Sequence, residues 1–140
     1  MAVFLNNKVG VIIGTTDVSS EISSVTLNQT FDEVEISALG DTAHKFVKGL
    51  ESGTLSLDLY GDFATTGTST ILQAAYGTTV TVKIIPVKGT AISATNPLYT
   101  TTILVNNLTP INGAVGDINS SSITFTCNST IDFATTGTFA

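Results

Sequence analysis

The chain has 140 residues, 42% hydrophobic and only 11% charged, against the ~25% charge of an ordinary domain. That fits one hydrophobic core and leaves Thr, Ser, Asn and Gly to make the polar surface. Five lysines, no arginine and eleven carboxylates give a formal charge of −6, which excludes a basic nucleic-acid footprint.

In chain order, MAVFLNNKVGVIIG is apolar but is broken by Asn6, Asn7 and Lys8 and lacks a basic start. It reads as neither a signal peptide nor a membrane span, so no membrane anchor is expected. In SSVTLNQTF, Val25, Leu27 and Phe31 share one parity and Thr26, Asn28 and Thr30 the other, the period-two signature of a strand with one buried face. DEVEIS repeats it, with Val34 and Ile36 opposing Glu33, Glu35 and Ser37, and Asp32 placed at the turn before it. A long connection, Leu39 to Gly53, then holds the least ordinary side chains: Asp41, His44, Lys45, Phe46 and Lys48. Holding Phe46 and Val47 out on a loop makes sense if the loop lies across a neighbouring subunit.

The next strand is TLSLDLY, in which Leu55, Leu57 and Leu59 oppose Thr54, Ser56 and Asp58. In TSTILQAAYG, Ile71, Leu72, Ala75 and Tyr76 fall on one helical face, giving a short helix over about Ser69–Tyr76. Thr68 or Ser69 is expected to cap its start and Gly77 to end it in the left-handed conformation. TVTVKII, TTTILVNN and SITFTCN complete the strands, with a second long connection from Val87 through Asn96 and Pro97 as another candidate contact arm. Cys127, the single cysteine, sits in an alternating run and reads as a buried strand residue. The expected fold is mainly β, an antiparallel sandwich or partly closed barrel with one short flanking helix, in one domain over residues 1–140.

The heptapeptide DFATTGT occurs at Asp62–Thr68 and again at Asp132–Thr138, an offset of 70. The approaches GTLSLD and ITFTCN match loosely as alternating strands, but further upstream the halves do not match, so duplication of a half-domain is disfavoured. The better reading is two strand exits with the same local chemistry, Asp and Thr for turns, Gly for a flexible position and one aromatic to anchor the segment. The second copy lies in a tail, about 130–140, whose Phe133 and Phe139 are candidate contacts to a neighbour if the tail is ordered at all.

No constellation carries catalysis. His44 is the single histidine and has no partner at ligand or triad spacing. Asp32, Glu33 and Glu35 read as a solvated acidic strand face, and they lack the dense oxygen ligands of a calcium loop. Neither a dinucleotide nor a Walker glycine loop is present. The chain is expected to be no enzyme and to need no metal or cofactor.

The order of pieces carries a resemblance. Ala38, Leu39, Gly40 and Asp41 end the second strand run; Gly49, Leu50, Glu51 and Ser52 lead into Leu55–Leu59; Leu72, Ala75 and Gly77 mark the helix; and Asn112 to Thr126 forms a late strand region. Over Ile22 to Ser129 the chain resembles the tail tube proteins of long-tailed bacteriophages. The resemblance implies a β-sandwich with one helix, made in the host bacterial cytoplasm and assembled in the virion as stacked hexameric rings. Those rings form a hollow tube that meets other phage tail proteins and lets DNA leave the capsid. It also implies that the long loop, here Gly40, Asp41, Thr42, His44, Lys45, Phe46 and Lys48, reaches the adjacent ring. The shared fold keeps head–tail joining and tail-terminating proteins open as alternatives.

An acidic, arginine-free wall would let DNA pass without binding it, since duplex DNA carries one negative charge per ~1.7 Å. Glu33 and Glu35, or a strand face carrying Asp58, are the candidate lumen-facing groups. A capsid decoration protein is the competing reading, being equally small, β-rich and free of catalysis. A secreted sugar-binding module fits less well, because the chain has no Trp.

Overall fold

The computed structural model describes residues 6–139. The strands are β1 (Gly10–Ile13), β2 (Thr16–Asp17), β3 (Ile22–Glu35), β4 (Phe46–Tyr60), β5 (Thr79–Ile85), β6 (Leu98–Leu104), β7 (Ser120–Cys127) and β8 (Asp132–Ala134), with one α-helix, α1 (Thr68–Ala75). All eight strands join one antiparallel sheet in the order β2-β1-β5-β6-β7-β4-β3, with β8 alongside β6. The sheet is open, and the expected layering comes from its curling over itself.

The curl follows from β6. Along one edge it pairs fully with β5, but its other edge is divided between β8, at Leu98–Thr100, and β7, at Ile103 and Leu104. With only two residues joining the halves, the sheet bends there, and Val11, Ile13, Val82 and Ile84 of one half meet Leu55, Leu57, Leu59, Ile123 and Phe125 of the other. Alternation in TLSLDLY and SSITFTC sends these side chains inward and Thr, Ser and Asp58 outward. Cys127 belongs to this core, where burial raises its thiol pKa and keeps it inert.

Helix α1 closes one end by burying Leu72. Its amino end is arranged differently from the expectation. Gly67 holds the cap position without a side-chain bond, while the Thr68 hydroxyl donates instead to the Tyr60 carbonyl at 2.8 Å. Gly67 is required there, because a Cβ would lie 2.3 Å from the Asp62 carbonyl oxygen. Gly77, with φ +81°, ends the helix in the expected left-handed conformation.

Three further expectations are corrected. SSVTLNQTF and DEVE form a single continuous strand, so Asp32 is a strand residue and not a turn residue. The segment from Phe46 to Gly53 is strand β4, which reduces the long connection after β3 to residues 36–45. The connection from Val87 to Pro97 is no free arm. The buried Asn96 amide accepts from Val87 N–H at 3.0 Å and donates to the Val87 and Thr90 carbonyls at 3.1 and 3.2 Å, stapling the loop to its own domain.

The tail also stays home. Its Asp132–Ala134 pairs with β6, Phe133 meets Tyr99 edge-on at 5.4 Å between centroids, and the Phe139 ring rests on the bare backbone of Gly10. The two DFATTGT copies thus fold differently. The first turns into α1, with Asp62 accepting from Ala64 N–H at 2.9 Å and Ser69 N–H reaching the Asp62 carbonyl at 3.1 Å. The second begins with a strand. Phe63 of the first copy is exposed and anchors nothing.

Candidate functional site

The strands of the β3–β4 hairpin, 14 and 15 residues long, outrun the sheet that carries them. Strand β7 stops pairing with β4 at Thr54. Beyond it, β3 and β4 have only each other, and they run on as a two-stranded ribbon for about 25 Å at ~3.3 Å per residue.

The root of this arm is fixed by packing on Gly53. A Cβ there would sit 2.7 Å from Ile131 Cδ1 and 2.8 Å from the Asn28 carbonyl oxygen, so only glycine lets the tail segment close over the hairpin. Glu51 reaches back to accept the Ile131 N–H at 3.3 Å. Further out, β3 advances two residues, Phe31 to Glu33, while β4 advances three, Glu51 to Lys48. The extra β4 residue is a bulge, and it falls at Gly49–Leu50, where a Cβ on Gly49 would meet the Asp32 carbonyl oxygen at 2.8 Å. Because β3 itself is unbroken there, Phe31, Glu33 and Glu35 share one face with Lys48 and Phe46, and Val34 with Val47 occupies the other. The Lys48 ammonium stands 5.7 Å from the Phe31 ring centroid, in keeping with that assignment.

The tip is ordered by Asp41. Its carboxylate accepts the Ala38 N–H at 2.7 Å and pairs with Lys45 Nζ at 3.0 Å. These two contacts, the Ala38 N–H foremost, hold its pKa below the ordinary value. Gly40 takes φ +90°, so the Ala-Leu-Gly-Asp run singled out in the sequence is a turn closed by its own acid. His44 Nδ1 contacts Glu35 Oε2 across the ribbon, and Thr42 is exposed.

Both faces of the arm are bare. Phe31 is 51%, Val34 48%, Phe46 53% and Leu50 81% exposed, and Ile36, Leu39 and Val47 join them. A two-stranded ribbon is marginal in water on its own, and an apolar surface contributed by seven large side chains exceeds what an isolated monomer normally shows. The arm thus presents apolar side chains that no other part of the described chain covers.

The candidate residues distribute as follows. Gly40, Asp41, Thr42, His44, Lys45, Phe46 and Lys48 are together on the arm. The acidic candidates are not together. Glu33 and Glu35 lie on the arm, near Lys48 and His44, whereas Asp58 pairs with Ser24 and Ser122 on the solvent face of the body. The two sets are on opposite faces and about 30 Å apart along the ladder. Phe139 rests on Gly10 of its own chain, whereas Phe133 meets Tyr99 edge-on and stays 59% exposed.

A second apolar region was missed by the sequence reading. Between β6 and β7, the segment leading to Asn119 exposes Ile111, Val115 and Ile118. It is held in shape by amides: Asn112 N–H donates to Asn119 Oδ1 at 2.8 Å, and Asn119 Nδ2 donates to the Pro110 carbonyl at 3.0 Å. Gly61 N–H bonds to the Asn119 carbonyl at 2.7 Å, which fixes this loop at the end of β4 opposite the arm. The signal available in the sequence was three apolar residues without period in an Asn- and Gly-rich stretch.

A cleft of about 270 Å³ lies between β3 and the ends of β5 and β6, lined by Val9, Val25, Leu27, Ile84 and Tyr99 among others. It holds no catalytic grouping. Among the described residues no three His, Cys, Asp or Glu side chains are placed to hold a metal ion, and no helix is long and apolar enough to cross a membrane. No protein-family model matches the chain, and no curated protein matches it.

Proposed function

We propose that this chain is a structural virion protein, a subunit of a bacteriophage tail tube that assembles as stacked hexameric rings around a DNA conduit and performs no catalysis. The observation that carries the reading is the arm: an ordered ribbon with apolar side chains on both faces and no partner within its own chain. Two further features support it. The exposed Ile111, Val115 and Ile118 lie at the far end of the same ladder, so one copy offers an apolar surface at each end. A heterologous contact of that kind generates rings or filaments and not closed dimers.

The conduit wall in this reading is the polar face of β4 and β7, where Thr54, Ser56 and Asp58 lie beside Ser122, Thr124 and Thr126. Hydroxyls and one carboxylate offer passing phosphates no positive charge to hold them. Glu33 and Glu35 belong instead to the arm contact.

Negative-stain electron microscopy of the concentrated protein tests the reading. Rings or hollow tubes of uniform width are expected, and Phe31→Ser combined with Val47→Ser abolishes them while leaving the circular dichroism spectrum unchanged. Compact single particles at every concentration and salt would overturn it in favour of a decoration or joining protein.

A further inference from the structure

Asn112 is followed by Gly113, and no other asparagine in the chain precedes a glycine. The pair lies in the connection between β6 and β7, and both residues are exposed. On one side Asn112 is stapled to the start of β7: its N–H donates to Asn119 Oδ1 at 2.8 Å and its Nδ2 donates to the Ser120 carbonyl at 2.8 Å. On the other side Asp117 closes a turn, its carboxylate accepting the Ala114 N–H at 3.2 Å and its N–H donating to the Ala114 carbonyl at 3.0 Å. Gly113 joins the two fixed parts with φ +149°. Among the described residues its own N–H has no acceptor.

The side-chain amide of an asparagine is an acyl group that the next backbone nitrogen can attack. A side chain on that next residue crowds the approach, and a ladder hydrogen bond ties the nitrogen up. Gly113 has no Cβ, and its N–H is unengaged. We propose that Asn112 is a self-modification site: it loses ammonia to attack by Gly113, and the product dismantles the staple that shapes this loop.

Water is the only co-reactant. Gly113 N gives its proton to solvent and bonds to Asn112 Cγ, the Cγ–Nδ2 bond breaks, and Nδ2 leaves as ammonia with a proton from solvent. The resulting succinimide is opened by water. Opening at Cγ leaves an aspartate, and opening at the main-chain carbonyl leaves an isoaspartate, whose backbone runs through Cβ and Cγ. The bond from Nδ2 to Ser120 is given up first, and because the site is exposed, water replaces it. Asn96 has no such route, since Pro97 lacks an N–H.

Both products put a carboxylate oxygen, which only accepts, where Nδ2 donated to the Ser120 carbonyl. That bond is lost, and the isoaspartate also lengthens the backbone within the loop. The segment presenting Ile111, Val115 and Ile118 thereby loses an anchor on β7. This inference is independent of the tube reading.

Ageing the purified full chain at body temperature in neutral and in mildly alkaline buffer, followed by peptide mapping that separates aspartate from isoaspartate, tests it. Asn112 is expected to convert while the other asparagines stay intact, and faster in alkali, where Gly113 N loses its proton more readily. Gly113→Ala is expected to slow the conversion several-fold. Asn112→Asp supplies one product without ageing, and its amides over residues 112–120 are expected to exchange faster than those of fresh wild type. Asn112 intact after ageing, conversion spread evenly over the asparagines, an unchanged rate in Gly113→Ala, or exchange in Asn112→Asp as slow as in fresh wild type would each overturn the proposal.

Discussion

Strand β4 contains its own control experiment. From Gly53 to Tyr60 its inward residues Leu55, Leu57 and Leu59 are buried to within 3%, and from Phe46 to Ser52 the same strand, paired to the same neighbour, buries no side chain fully. Pairing with β3, β-propensity and hydrophobic content carry on across Gly53, while the second neighbour, β7, is lost. What changes is the company: β7 flanks the proximal half and Val11, Ile13, Val82 and Ile84 of the other half-sheet pack over it, whereas neither lies against the distal half. Hydrophobic alternation reports that a face is meant to be covered, without reporting which molecule covers it.

The comparison is broken most forcefully by substitution in the two halves. Leu57→Ala should cost the dilute protein about 2 to 5 kcal/mol in urea denaturation, the range for emptying a packed aliphatic site. Leu50→Ser, seven residues away on the same strand, should stay within about 0.5 kcal/mol. Equal losses would mean that the distal half already packs within the monomer.

At the boundary, Gly53→Ala forces a Cβ against the Asn28 carbonyl oxygen and Ile131, both within 2.8 Å. Overpacking of this kind costs about 1 to 3 kcal/mol. Denaturation should show that loss, together with faster exchange of the Ile131 amide; an unchanged midpoint would show that the tail does not brace the root of the arm.

The smallest effect lies away from the hairpin, where burial raises the Asp17 pKa but Lys88 and Ser19 outweigh it and hold it below 3.8. That contribution is present above pH 3.8 and is lost as the pH falls below it. Lys88→Met should remove less than about 1 kcal/mol at pH 7, as for other half-exposed pairs, and shrink the acid-side loss. A larger effect would show that this corner, and not the hairpin, governs stability.

Much of the β architecture was legible, because period-two alternation in residues 24–28, 54–60 and 120–127 follows from one face being turned to the core, and the same period in 31–36 marks a strand whose faces this chain leaves bare. Helix α1 was legible from the spacing of Ile71, Leu72 and Ala75, and its end from Gly77. Strand β1 was not, since all four residues of GVII are buried and a uniformly apolar run has no period. The stapled loop around Asn96 and the strand formed by the second DFATTGT depend on partners distant in sequence, which explains why the same heptapeptide takes two structures. The arm residues were recognised as contact candidates, but the strand character of Phe46–Gly53 was hidden by the bulge at Gly49–Leu50, which breaks the alternation.

The most direct test of the covered arm is amide exchange over residues 46–52, compared with 54–60, in dilute and in concentrated protein. The proximal segment should be protected in both. The distal segment should exchange readily when dilute and become protected on assembly. Distal protection already present in the dilute monomer, or assemblies in which the distal segment still exchanges freely, would contradict the claim that another copy of the chain covers the arm.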